Sequence, residues 1–120
     1  MTNRIRRVVT AQDAAGQSYL LSDGIAANAV EVASMPGLVV TDLWETTRTP
    51  ADNRGTDDAA ARPLRHEPPA GGSLFRTVEF PPDHTWQGSV DSQKAFESIG
   101  GGHTRIAGSK DPMMHKSATI

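Results

Sequence analysis

Leu38-Val39-Val40-Thr41-Asp42-Leu43-Trp44-Glu45 is the stretch on which the fold turns. β-Branched and aromatic residues concentrate there and Pro36-Gly37 punctuates its start, so the segment predicts a β-strand. Toward the N-terminus, residues 5–10 carry Ile5, Val8, Val9 and Thr10 and run into Gln12-Asp13-Ala14-Ala15-Gly16, a turn that Gly16 can close with positive φ. Residues 18–22, with Tyr19, Leu20 and Leu21, follow and end at Ser22-Asp23-Gly24, so the pair predicts a hairpin. Toward the C-terminus, residues 73–80 return to strand character with Leu74, Phe75, Val78 and Phe80. Pro81-Pro82 then stops the ladder, because proline has no N–H to donate.

Between these strands the chain changes character. Residues 46–72 are crowded with Pro, Asp, Asn, Arg, Ala and Gly and hold few large apolar groups, which predicts a long surface loop. Loops of that length in compact domains tend to be functional covers or mobile segments, so this one is a candidate lid or dimer arm. Within it, Ala59-Ala60-Ala61 suggests one helical turn. Residues 92–99 form the one helix the pattern supports, with Asp91 or Ser92 placed to cap it and Phe96 and Ile99 three apart on one face. Gly100-Gly101-Gly102 supplies the stop.

Composition limits the functions open to such a chain. With 120 residues, 37% of them hydrophobic and 5% aromatic, and with 11 glycines and 8 prolines, there is room for one modest core and little for long helices. A net charge of −2 offers no basic face for nucleic acid or anionic lipid; Arg4, Arg6 and Arg7 read as a solubilising strand edge rather than a phosphate-binding arm. No cysteine is present, which excludes disulfides, thiolate nucleophiles and cysteine-based zinc sites. Residues 1–10 lack the apolar core of a secretory signal and no run reaches the roughly 18 apolar residues of a membrane span, so the expectation is a soluble, cytoplasmic protein.

The segment Asp111-Pro112-Met113-Met114-His115-Lys116-Ser117-Ala118-Thr119-Ile120 carries the candidate chemistry. If extended, it sets Met113, His115, Ser117 and Thr119 on one side. A strand-borne metal site needs ligands two apart on one face, and here the partner position holds Ser117, a poor ligand for Zn, Fe or Mn. His115 therefore reads either as a ligand or as a structural, hydrogen-bonding histidine. His66, His84 and His103 lack regular spacing and read as exposed loop histidines, and Asp57-Asp58 as solvated loop charges. Gly100-Gly101-Gly102 lacks the context of a phosphate cradle. Trp44 and Trp86 read as core or interface anchors, or as pocket walls.

Three places carry a resemblance to a known family. They are Arg6-Arg7-Val8-Val9-Thr10 running into Ser22-Asp23-Gly24; then Leu43-Trp44-Glu45 with Thr49-Pro50-Ala51-Asp52-Asn53, Glu67-Pro68-Pro69-Ala70-Gly71-Gly72 and Phe75-Arg76-Thr77-Val78-Glu79-Phe80-Pro81-Pro82; and finally Met113-Met114-His115-Lys116-Ser117-Ala118-Thr119-Ile120. With these the chain resembles small single-domain members of the RmlC-like cupin superfamily. The resemblance implies a mostly β, cupin-like jelly-roll β-barrel, of which residues 1–120 would be an incomplete domain. Residues 1–90 would form a β-rich N-terminal arm with the long loop 46–72, residues 91–102 a short helix, and residues 103–120 the start of the barrel. It further implies a small-molecule binding protein or enzyme with its ligand in the barrel mouth, a homodimer, and His115 as a catalytic group or as a ligand of a divalent metal such as Fe, Mn or Zn. Metal-binding cupins supply two His and a Glu from the first motif and a later His; only His115 matches, with Ser117 at the second position. The alternatives are a non-catalytic binding or dimerisation module without metal, and an inactive truncated cupin.

Overall fold

The computed structural model describes residues 4–116, so the expected placement of Ser117 and Thr119 beside His115 lies outside the described residues. The described residues are mostly β, with two small antiparallel sheets and one α-helix among them. Strands β1 (Arg6–Gln12) and β2 (Ser18–Ile25) form the expected hairpin. Its turn is built as the sequence requires: the Asp13 carboxylate accepts from the amides of Ala15 and Gln17, each at 2.9 Å, and Gly16 adopts φ +78°. β2 runs on to Ile25, three residues beyond Ser22, because its backbone is still paired there, Gly24 with Arg7 and Ile25 with Arg6.

Strands β3 (Ala29–Glu31), β4 (Val39–Thr46) and β5 (Ser73–Glu79) form the second sheet, with β4 in the centre. The three-residue β3 is too short to leave a periodic signal; the ladder to β4 makes it a strand. Val30, Val40 and Val78 align across the three strands, as do Ala29, Thr41 and Thr77 on the other face. Since both faces of β4 are covered, residues 39–43 are all buried, which accounts for a near-continuous apolar run rather than an alternating one. The register shifts between Asp42 and Trp44, and this irregularity turns Trp44 toward Phe75.

The core lies on one side of this sheet. Val32, Met35, Leu38, Val40, Trp86, Ala95 and Ile99 pack together, with Leu64, Val90 and Met113 against them. Helix α1 (Ser92–Ser98) contributes Ala95 and Phe96 to the buried set, and the Asp91 side chain caps it by accepting from the Lys94 amide at 3.1 Å. Trp86 is thus a core anchor, whereas Trp44 stays half-buried.

The 46–72 segment has no strand or helix of its own, and Ala59 and Ala60 make a hydrogen-bonded turn instead of a helical one. It is nonetheless pinned to the sheets. Asn28 donates to the carbonyls of Ala60 (2.9 Å) and Arg62 (3.1 Å), Arg7 links the Leu43 carbonyl to the Asp58 carboxylate, and Trp44 Nε1 donates to Asn53. Arg7, its side chain 15% exposed, is therefore an inter-sheet fastener rather than part of a solubilising strand edge, and Asp58, exposed as expected, is its counter-ion.

The strongest fastening is electrostatic. Asp42, 1% exposed, receives Arg76 through Nε (2.6 Å) and Nη2 (3.1 Å), while the same guanidinium donates to the carbonyls of His66 (2.9 Å) and Arg65. Arg62 lies 3.1 Å from Asp42 and 2.6 Å from Glu45, whose other oxygen is 2.5 Å from Arg65. Arg62 Nε and Nη2 make no aligned hydrogen bond, so Arg76 supplies the directed contacts to Asp42. A single bidentate guanidinium thus ties β5, β4 and the loop together.

The result is a flat slab of 57 × 34 × 17 Å with a radius of gyration of 16.7 Å, against about 13.6 Å for a compact 120-residue domain. No closed barrel is formed among the described residues, and none of their helices is long and apolar enough to cross a membrane.

Candidate functional site

Two places gather the side chains that chemistry or binding would use. The first surrounds His115. An isolated antiparallel bridge pairs Arg105 with His115, and the Ile106 and Lys116 amides donate across it to Met114 and Thr104. Met113 turns inward against the core, while the exposed His115 lays its ring on Phe96 (centroids 5.1 Å apart) and edge-on to His66 (4.8 Å). His66 also stands edge-on to Phe96 at 5.4 Å, and its Nδ1 lies 3.3 Å from the Thr104 hydroxyl. Close by in sequence and space, His103 Nε2 is 2.9 Å from the Glu67 carboxylate.

Of the histidines read as loop residues, His103 and His84 are exposed as expected, but His66 is half-buried and joined to His115. Irregular sequence spacing gave no sign of this, because residues 66 and 115 meet only through the fold. Gly101 is the local reason the meeting is possible: a Cβ there would come within 2.5 Å of the His66 Cβ. Burial lowers the pKa of His66, reinforced by the charges of His115, Arg76 and His103 and partly opposed by Glu67.

This arrangement packs rings rather than converging ligand atoms. One nitrogen of His115 sits 2.9 Å from the Met113 carbonyl, and one of His66 faces Thr104. Among the described residues no group of three or more His, Cys, Asp or Glu is arranged to hold a metal ion. The residues described here do not fit the divalent site that the cupin resemblance implies for His115.

The second place is a groove of about 800 Å³ between the hairpin and the β4–β5 sheet. Val9 and Leu43, both nearly buried, form its floor, Leu21 lines one side, and the Trp44–Phe75 cross-strand pair the other. Phe75 is 63% exposed and presents its ring to the groove beside Trp44. Arg7, Asp52, Asn53 and Arg54 mark its polar margin. His115 does not line this groove. The sequence marks Trp44 as a core or interface anchor or a pocket wall, and Phe75 only as a strand residue; alternation along β5 is the signal that sets Phe75 and Arg76 on opposite faces.

No family model matches the chain, and no curated protein is similar to it.

Proposed function

We propose that the chain is a small-molecule-binding module of the cupin type its sequence resembles, with the ligand seated in the groove between the β1–β2 hairpin and the β4–β5 sheet. The observation that carries this reading is the groove itself: an apolar floor of Val9 and Leu43 and an exposed aromatic wall at Phe75, surrounded by polar and charged groups that include Arg7, Glu45, Asp52, Asn53 and Arg54. Small organic ligands occupy concave sites in which apolar and aromatic walls meet polar groups that fix orientation. Binding is favoured over catalysis because all but Asp57 of the groove's charged groups are held in ion pairs, Arg6 with Asp23, Arg7 with Asp58, Arg54 with Asp52 and Glu45 with Arg62 and Arg65. The test is a fluorescence titration with the neutral probe N-phenyl-1-naphthylamine. Saturable binding that weakens at least fivefold in Phe75→Ser supports the reading; binding indifferent to Phe75→Ser and Leu21→Ser refutes it.

A second reading, a homodimer in which another copy covers the sheet edge, is favoured by the surface the chain leaves open. Its accessible area is 8064 Å², whereas a compact monomer of this mass has about 6,300 Å². Phe75, Val78 and Phe80 are exposed on and just beyond the edge strand β5. Sedimentation equilibrium at micromolar concentration decides it: a dimer that Phe80→Asp converts to monomer supports pairing, and a monomer throughout excludes it.

A further inference from the structure

We propose that two copies of this chain join edge to edge through β5, antiparallel and centred on Thr77, to make one continuous sheet in the order β3-β4-β5-β5-β4-β3. This inference rests on the homodimer reading above and adds how the two copies pair.

The direction of the backbone groups along β5 follows from the strand beside it. The Asp42 amide donates to the Asn28 carbonyl at 2.9 Å, and the Leu38 carbonyl, just before β4, accepts from the Val32 amide at 2.9 Å, so the even-numbered residues of β4 face β3. Val39 and Thr41 therefore turn toward β5, where they pair with Glu79 and Thr77. The Ser73 amide points the same way, donating to the Thr46 hydroxyl at 2.9 Å. Alternation then turns the N–H and C=O groups of Leu74, Arg76 and Val78 outward. Among the described residues no strand or loop backbone bonds to them on that side.

A two-fold axis pairs each residue with one equally far beyond the centre, so the centre fixes every partner. Centred on Thr77, Arg76 meets the partner's Val78 and Leu74 meets the partner's Phe80. Val78 (42% exposed) and Phe80 (60% exposed) are then covered, and Thr77 faces its own copy, a favourable cross-strand pair. Centres at Phe75 or Arg76 bring in Gly72, whose amide is already bonded to the Pro69 carbonyl at 3.0 Å, and the second also sets two arginines face to face. A centre at Val78 puts Leu74 opposite Pro82, which has no N–H to donate.

The occupant is a second copy because the edge is complementary to itself and the surface is there to bury. The accessible area exceeds that of a compact monomer of this mass by about 1,800 Å², against about 800 Å² that each partner gives to a standard interface. The outer strand of the joined sheet is β3, only three residues long, so pairing closes at two copies instead of propagating.

The chain has no cysteine, so introduced ones report the register directly. Antiparallel partners outside the hydrogen-bonded pairs stand about 4.5 Å apart at Cα, within reach of a disulfide. Sedimentation equilibrium of the wild type at micromolar concentration is run beside copper–phenanthroline oxidation of Thr77→Cys and of Ser73→Cys, followed on non-reducing gels. As a second readout of the same register, an equimolar mixture of Leu74→Cys and Phe80→Cys is oxidised and its products are weighed by intact mass. The expected result is a dimer in which Thr77→Cys cross-links at least about tenfold faster than Ser73→Cys, whose two copies would lie about 26 Å apart along the strands, and in which the mixture gives chiefly the mixed dimer. A dimer in which neither readout shows its link overturns the Thr77 register and leaves the homodimer reading standing. A wild type that is monomeric throughout overturns that reading and this inference with it.

Discussion

Replacing Arg76 with Met tests the fastening on which the whole slab depends. The methionine fills much of the arginine's volume but removes two bonds to Asp42, at 2.6 and 3.1 Å, and two to the carbonyls of Arg65 and His66. Asp42, 1% exposed, is then left with Arg62 at 3.1 Å as its remaining charge partner, in a geometry without an aligned hydrogen bond. Breaking a buried pair by removing one partner costs about 3–5 kcal/mol, chiefly because the surviving charge stays desolvated. A chain of this length has a total stability of about 6–18 kcal/mol, so the variant loses a large fraction of it. The assay is urea unfolding followed by far-ultraviolet circular dichroism, with Asp42→Leu and the double variant completing a thermodynamic cycle. The double variant should be less destabilised than the two single variants added together, since neither charge is then buried alone. A loss below about 1 kcal/mol for Arg76→Met, or strict additivity in the cycle, would refute the claim that this pair organises β4, β5 and the loop.

Two further outcomes follow from local geometry. Gly72→Ala places a Cβ about 2.0 Å from the Thr46 carbonyl oxygen, where the loop closes onto the β4–β5 pair. The backbone must shift there, so a loss of about 1–3 kcal/mol in the same unfolding assay is expected, and a neutral effect would mean the two strand ends are not held this closely. For His66, whose pKa is lowered by burial first, the unfolded chain takes up a proton before the folded one. Stability should therefore fall as pH drops below the ordinary histidine value near 6.5 and continue to fall through the lower folded pKa. Melting temperatures from pH 7.5 to 5 should show this slope, and His66→Phe, which keeps an aromatic ring against Phe96, should flatten it; an unchanged slope would place the titrating group elsewhere.

Much of the strand order was legible because it is written locally. The apolar, β-branched run around residue 40, the turn chemistry at Asp13 and Gly16, the Asp91 cap and the Pro81-Pro82 stop each act within a few residues of themselves. The candidate sites were less legible. His115 was singled out in the sequence, but its partners His66 and Phe96 were not, and nothing in the spacing links them. The 46–72 segment looked like a free cover because it is poor in apolar groups. It is held instead by Asn28, Arg7 and Arg76, polar anchors whose hydrophilicity disguises them in a one-dimensional reading.

The sequence alone thus determined the class of the fold: short strands, one capped helix, one small core and no chemistry that requires cysteine or a basic face. Local propensity, turn geometry and composition suffice for that, since each depends on neighbours along the chain. Only the tertiary structure decided that Asp42 and Arg76 would be buried as a pair, that Phe75 would remain exposed opposite Trp44, and that two arginines would share Asp52 beside that aromatic wall. Desolvation, cross-strand register and charge balance are properties of residues brought together from distant positions, and they exist only once the chain has folded.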